Sequence, residues 1–449
     1  MASIAYALER IKRNPLELLT RPLIEQICRD HDHHWRNREL DPATTLALFA
    51  QQIMHGNAPC NEVPRIAGSS FTGQAYCQAR ARLPLLVCQD LFSHVCQAVL
   101  PQTQDAGHRW RGRRTFLIDG STFSMPDTPA LRKAFGAPSG QKPGCGFPVA
   151  HLLVLFNAQT GLLLDAWASR YRTSDVRNTP EAHLHLDDGD ILLGDDSFSG
   201  YGHLASVVRA KLHGLFPVHH LRIVDFKKGR PHCGEGKKAV TGTPSSRWIK
   251  SLGKEDQLVE YFKPVQRPLW MSAEEYDDLP ESIVVRELRR TVTRPGLGHV
   301  TLTMVTTLLD PAAYPASELL ELRLRRWEVE TNIGYLKTAM GLDVLRCKTE
   351  QGVRKELAMF CLVYNLVRAV MLEASRRQEV PVSRVSFADA LRWMRHARPG
   401  DRLPDLVVNP RRPNRAEPRC RKRRPKEYDL MNQPRKVLQE QLRKQAKNA

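Results

Sequence analysis

Residues 190–202 read DILLGDDSFSGYG. Ile191, Leu192 and Leu193 form a short apolar run bounded by turn residues, the pattern of a buried strand. Gly194 loosens the chain, and Asp195 and Asp196 follow where that strand stops. Strand geometry alone does not separate the two neighbouring carboxylates. On the N-terminal side, TPEAHLHL (179–186) has helical spacing. On the C-terminal side, GHLASVVRAKLHG (202–214) reads as a helix and FPVHHLR (216–222) as a further strand. Upstream, TFLID (115–119) is a short strand. GFPVAHLLVLFN, the turn AQTG and LLLDAWASRY (146–171) read as a two-stranded hairpin. Antiparallel-type strands followed by alternating helix and strand predict an α/β layer, a mixed sheet flanked by helices with carboxylates at strand ends.

Around this layer the pattern changes. Residues 1–105 are mostly helical, and GQAYCQARARLPLLVCQDLFSHVCQAVL (73–100) interleaves Arg80 and Arg82 with apolar positions. That fits a DNA-contacting helical module and equally a packing domain with solvated charges. Residues 217–312 alternate as strands, as in SIVVRELRRTV and HVTLTMVTTLL, between loops rich in Gly, Pro, Ser and Lys. Helix returns in 313–400, first as PASELLELRLRRWEVETNIGYLKTAMGL (315–342) and then as VRKELAMFCLVYNLVRAVMLEASRRQ (353–378). Residues 401–449 form a basic, proline-rich tail. The expected units are therefore a helical 1–105, an α/β core in two parts at 106–216 and 313–400, a β-rich insertion at 217–312 and the tail.

The chain of 449 residues carries a formal charge of +19 and a pI near 9.7. Such a balance points to a polyanionic partner, nucleic acid first and an anionic membrane surface second. The excess is concentrated at the end, where residues 411–449 hold 14 Lys and Arg against 4 Asp and Glu. Its RKRRPK (421–426) suits phosphate backbone contact. The ten cysteines form no CxxC pair, which fits reduced thiols and not a disulfide framework. No signal peptide is expected from the opening residues. The apolar stretch LAMFCLVYNLVRAVML is too short to span a bilayer and contains Asn365 and Arg368. An intracellular protein is expected. CRDHDHHW (28–35) matches no standard zinc spacing. Trp248 and Trp270 lie in the β-rich segment, where a core role is expected.

One helical segment bears on chemistry. In RRWEVETNIGYLK (325–337) an ideal helix advances about 100° per residue, so Glu330 lies about 40° from Arg326 and Lys337 about 20° back from Glu330. One acid and two bases thus share a face beside the apolar stripe Val329, Ile333, Leu336 and Met340. Alone, this face reads as a salt-bridge ladder. Taken with Asp119 after FLI and Asp195 after ILL, it can contribute the third carboxylate of a two-metal site. Phosphodiester cleavage must activate a water and stabilise a leaving oxygen, and two divalent ions about 3.5–4 Å apart do both. Hard carboxylate oxygens suit Mg²⁺ or Mn²⁺.

These blocks resemble the DDE transposases of bacterial insertion sequences, in the insertion-sequence-four group with its Tyr-Arg-Glu-Lys signature. Arg326, Glu330 and Lys337 match the last three signature positions at the family spacing, and Arg323 stands where the family has Tyr. LIDGSTFSMPDT is similar to the first-aspartate block and LLGDDSF to the second, usually Asp-Arg-x-Phe. AYCQARARLPL, YNLVRA and RAEPRCRKRRPKEYDLM also resemble this group. The resemblance implies an RNase H-like core and makes Asp119, Asp195 and Glu330 the catalytic, metal-binding acids, with Asp196 in the usual arginine place. It implies two Mg²⁺ ions, replaceable by Mn²⁺, and phosphate contacts from Arg326, Lys337 and Arg323. It further implies binding of inverted-repeat ends, strand cleavage and transfer, a homodimer or larger assembly on DNA, and a bacterial cytoplasmic, nucleoid-associated setting without membrane. An RNase H-like nuclease without transfer activity, or a non-catalytic DNA-binding descendant, are the alternatives. Loss of an acid would mark the latter, and none is missing.

Overall fold

A computed structural model describes residues 20–36, 38–100, 109–138, 140, 142, 144–233, 242–294, 298–397, 401–410 and 432–448. The RKRRPK run and the first 19 residues lie outside this set. The strands are β1 (Thr115–Ser124), β2 (Val149–Asn157), β3 (Leu163–Arg170), β4 (Ile191–Leu193), β5 (His213–Pro217), β6 (Arg247–Gly253), β7 (Asp256–Phe262), β8 (Ser282–Arg294) and β9 (Gly298–Thr306). They form one sheet in the order β3-β2-β1-β4-β5-β9-β8-β7-β6. β1 runs antiparallel to β2 and parallel to β4, β2 antiparallel to β3, and β4 parallel to β5. That order and those directions are RNase H-like. Segment 217–312 supplies β6 to β9 and extends the same sheet, because β9 pairs with β5 from Leu215↔Thr306 to Pro217↔Met304.

β2 is apolar at almost every position because both of its faces are covered, and all but its first residue are buried. The helices used below are α1 (Arg21–Asp30), α2 (Pro42–Met54), α3 (Gly73–Arg82), α4 (Leu85–Val99), α5 (Tyr201–Arg209), α6 (Ala316–Leu324), α7 (Trp327–Gly334), α8 (Glu350–Arg377) and α9 (Phe387–His396). Thr20, Asp41 and Thr72 cap α1, α2 and α3 with side-chain oxygens, which stops each helix at its polar start. α8 is the core helix, and its apolar window is wholly buried inside the fold. Two of its polar residues serve the sheet edge. Asn365 accepts from Leu163 N–H at 2.9 Å and donates to Leu163 C=O at 2.8 Å, so a side chain completes the outer ladder of β3. Arg368 donates to the carbonyl of Thr160 at 3.0 Å in the preceding turn. Lys355 of α8 donates to the carbonyls of Ala81 and Leu83 at 2.9 and 2.8 Å, which fastens the end of α3 to the core.

Three local expectations are corrected. β1 does not stop at Asp119. Pairing with β2 continues from Asp119↔Val154 to Ser124↔Val149, and only the parallel partner β4 ends earlier. The expected strand at 216–222 begins earlier and ends at Pro217, its last cross-strand bond to β9 is made by Val218 N–H to Thr303 C=O, and His219 and His220 fall in a turn. The single helix expected over 315–342 is broken. Arg325 N–H and Arg326 N–H bond back three residues, at 3.1 Å each, between α6 and α7, and α7 passes into a π-turn at Tyr335–Ala339.

Candidate active site

The register of β1 against β4 positions the first two acids. Leu117 pairs with Leu193 in parallel, so Asp119 and Asp195, each two residues further on, stand level and on the same side. Gly194 is required by this arrangement, since a Cβ there would lie 2.6 Å from the Phe198 ring. Phe198 is buried and anchors the turn that Asp195 begins. Asp195 accepts from Ser197 N–H at 2.9 Å and from Ser197 Oγ at 2.6 Å. Asp196 turns the other way, with its carboxylate 3.5 Å from His220 Nδ1. The neighbours that pattern could not separate are thus separated by their surroundings.

Arg326 joins the helix to the strand. Its Nη1 donates to Asp119 Oδ2 at 3.0 Å and its Nη2 to Glu330 Oε1 at 2.6 Å. The tight turn between α6 and α7 allows one guanidinium to reach both. Asp119 is 13% exposed and Glu330 59% exposed, so the inner acid is enclosed and the outer one is open to solvent. Burial pushes the Asp119 carboxyl up to about 6, opposed by Arg326 and reinforced by the charge of Asp195. Arg323 lies beneath them, buried, and its Nε meets no acceptor. Burial and the Arg326 charge bring the Arg323 guanidinium down to about 10, against the pull of Asp195, Asp119 and Glu330. The charges of all three acids thus act on this buried cation.

Lys337 is not part of a ladder with Glu330. From the π-turn it donates to Ser121 Oγ at 3.3 Å and pairs with Asp343 at 3.0 Å. Ser121 is two residues beyond Asp119 on β1, so Lys337 still reaches the acid face of the strand. Behind β1 stands a fourth carboxylate that sequence reasoning missed. Asp175 bonds to His151 Nε2 at 2.5 Å and lies so close to Gly120 that a Cβ there would meet its Oδ1 at 2.0 Å. Nothing in the run around Asp175 marks it, and Gly120 directly after Asp119 is the one trace of the contact. The structure does not gather the 28–34 segment into a metal centre: Cys28 is buried and His31 pairs with Asp90 at 2.7 Å. Trp270 lines a cleft with His183 and Glu275, and Trp248 lies in β6 with its Nε1 buried.

The RNase H-like sheet thus carries Asp119 in β1 and Asp195 just past the end of the neighbouring parallel strand β4, with Glu330 on the helix bridged to Asp119 by Arg326. The family described as Transposase DDE domain matches residues 110–366, and the chain belongs to it. Transposase InsG for insertion sequence element IS4 of Escherichia coli (strain K12) is 26% identical over 376 residues, covering 79% of this chain and 77% of the relative. Two solved structures are also similar. A piggyBac transposase synaptic complex with hairpin DNA shares 11% identity at a TM-score of 0.43, over 85% of this chain and 79% of that one. A pre-cleavage Mos1 transpososome shares 10% identity at a TM-score of 0.13, over 40% of this chain and 60% of that one.

Proposed function

We propose that this transposase binds the inverted-repeat ends of an insertion sequence and performs metal-dependent strand cleavage and strand transfer of the cut-and-paste type. The observation that supports this reading is the Arg326 bridge between Asp119 and Glu330, with Asp195 just past the end of the strand beside Asp119. The donor set suits Mg²⁺, with Mn²⁺ as a substitute, because it consists of carboxylate oxygens alone. The raised pKa of Asp119, caused by burial beside a second acid, is the strain that a cation relieves. Asp119, Asp195 and Glu330 would hold two such ions, which when bound supply an activated nucleophile and stabilise the leaving oxygen.

The chain's own groups then divide the work. Ser197 holds Asp195 in one orientation, and β1 holds Asp119. Arg326 releases its bridge between Asp119 and Glu330 and turns to a DNA phosphate, where charge builds at the transferring phosphoryl group. Arg323 supplies fixed positive charge beneath the same phosphate, and Lys337 contacts the backbone one step along β1. The 1–105 segment reads the element ends, and the basic 401–449 tail adds phosphate contacts. The protein acts as a homodimer or larger synaptic assembly in the bacterial cytoplasm, at the nucleoid. The test is incubation of the purified full chain with duplexes carrying its own element ends. Cleavage and joining with Mg²⁺ or Mn²⁺, and neither with chelator, is the expected result; cutting that ignores the acids at 119, 195 and 330 overturns the reading.

A further inference from the structure

A second cluster of ligating side chains lies beside these acids. Among the described residues, one ligand atom each from Asp196, His219 and His220 fall within 4.8 Å of one another. Topology brings them together. β4 and β5 are adjacent and parallel with Leu193 opposite Leu215, so the chain leaving each strand emerges at the same end of the sheet. Asp196 lies in the turn after β4, and both histidines lie in the turn after β5.

The two turns are fastened to each other. His219 N–H donates to Ser199 Oγ at 3.1 Å, and Ser199 Oγ donates to Asp196 C=O at 2.7 Å. Arg222 N–H closes the histidine turn on His219 C=O at 2.8 Å. The turn also changes how the histidines point. In an extended strand consecutive side chains diverge to opposite faces. Here the two rings lie 4.3 Å apart at 31°, on one side of the chain. The carboxylate of Asp196 stands 3.5 Å from His220 Nδ1. Both outer partners can move, since the Asp196 side chain is 43% and the His220 side chain 71% exposed.

We propose that Asp196, His219 and His220 form a transition-metal site separate from the three-carboxylate centre. Two imidazoles and one carboxylate favour Zn²⁺ and its neighbours in the first transition row over Mg²⁺, which prefers oxygen alone. Ligand bonds of about 2.0–2.2 Å require the three donor atoms to close slightly from their present spacing. His219 Nδ1 accepts a long 3.3 Å bond from Leu221 N–H. A metal on either ring nitrogen replaces that bond. The site opens on a cleft of about 320 Å³ lined by Ser197, Ser199, Arg222, Thr243 and Ser245. Three protein ligands leave further coordination positions facing this cleft, open to water or to a phosphate oxygen. Asp196 directly follows Asp195, so an ion here also clamps the turn that carries the second acid.

Binding is measured on the untagged full chain by isothermal titration with Zn²⁺ and by the visible spectrum with Co²⁺, both in excess Mg²⁺. The expected result is one equivalent bound, with the Co²⁺ spectrum of nitrogen ligation. His219→Ala and His220→Ala should each weaken binding at least tenfold, and Asp196→Asn should weaken it less. Glu330→Gln should leave it unchanged, which keeps this test independent of the carboxylate centre. Unchanged melting of the histidine variants shows that the fold is intact. Zn²⁺ affinity unaffected by the double His219→Ala/His220→Ala change, or lost with Glu330→Gln alone, overturns the proposal.

Discussion

Replacing Asp119 with Asn should stabilise the metal-free protein at neutral pH. Asp119 has a pKa of about 6 in the fold against an ordinary 3.8, because burial disfavours its charge more than Arg326 restores it. Each unit is worth about 1.4 kcal/mol, so the ionised carboxylate costs the fold about 3 kcal/mol. The sign follows from proton linkage. The folded state holds this proton more tightly than the unfolded chain, so stability falls as pH rises from about 4 to about 6, and the whole cost is present above about 6. Asparagine resembles the protonated acid in shape and charge. The variant should therefore melt a few degrees above the parent in chelator at neutral pH, and the difference should vanish near about pH 4. Arg326 keeps Glu330 as a partner, and its attraction to Asp119 is already included in the net shift. The assay is thermal melting across this pH range with chelator, repeated with Mg²⁺ or Mn²⁺. Added ion should raise the parent's melting temperature and leave the variant's nearly unchanged. A variant less stable than the parent at every pH would refute the reasoning and make the Asp119–Arg326 pair a structural brace.

Asp195→Asn should abolish strand cleavage whereas Asp196→Asn should retain most of it, checked by gel assay on labelled element ends; reversed effects would move the second acid by one residue. Lys337→Ala should cut strand transfer about ten- to a hundredfold, since one charge-assisted contact is worth roughly 1.5–3 kcal/mol. Its melting should change by no more than about 1 kcal/mol, because its partner Asp343 is half exposed; a parallel collapse of melting and activity would make the contact structural. Asn365→Leu should destabilise the fold by about 2–6 kcal/mol, because two buried backbone groups of Leu163 each lose a partner worth roughly 1–3 kcal/mol. Unchanged melting of that variant would show that the β3 edge does not depend on α8.

What was legible in the sequence was whatever depends on local period. The ILL run is β4, and the four-residue step from Arg326 to Glu330 survives as a bonded pair. The full length of β1 was not legible, because the β2 residues that pair with Gly120–Ser124 and prolong it lie 25 to 33 positions downstream of their partners. Local pattern does not separate Asp195 from Asp196, and the β1–β4 register that sets Asp195 level with Asp119 is contained in no single strand. Lys337 was placed by an ideal 3.6-residue helix, and a π-turn shifts every later residue away from that face. His219 and His220 were assigned to a strand because apolar neighbours flank them, while the last cross-strand bond from this segment to β9 is made by Val218 N–H to Thr303 C=O just before. Asp175 carries no local signal, since its role arises only where it meets the back of β1.

The arrangement of charge also explains how three acids can share one site in a folded chain. Unscreened, their mutual repulsion in a partly buried place would favour opening the strand ends or protonating a carboxylate. Arg326 answers this directly by bonding two of the acids at once. Arg323 answers it at longer range, as a buried cation whose Nε has no hydrogen-bond acceptor. A tyrosine at that position would offer a hydroxyl but no full charge. The arginine therefore moves the resting site closer to neutrality while its Nε stays without an acceptor. Because the Arg326 bonds occupy the oxygens of Asp119 and Glu330, a cation among those acids and the Arg326 bridge are competing occupants of the same oxygens. The geometry thus ties cation binding to release of a guanidinium. On the proposed function, a guanidinium set free where Glu330 is open to solvent would be available to an incoming phosphate.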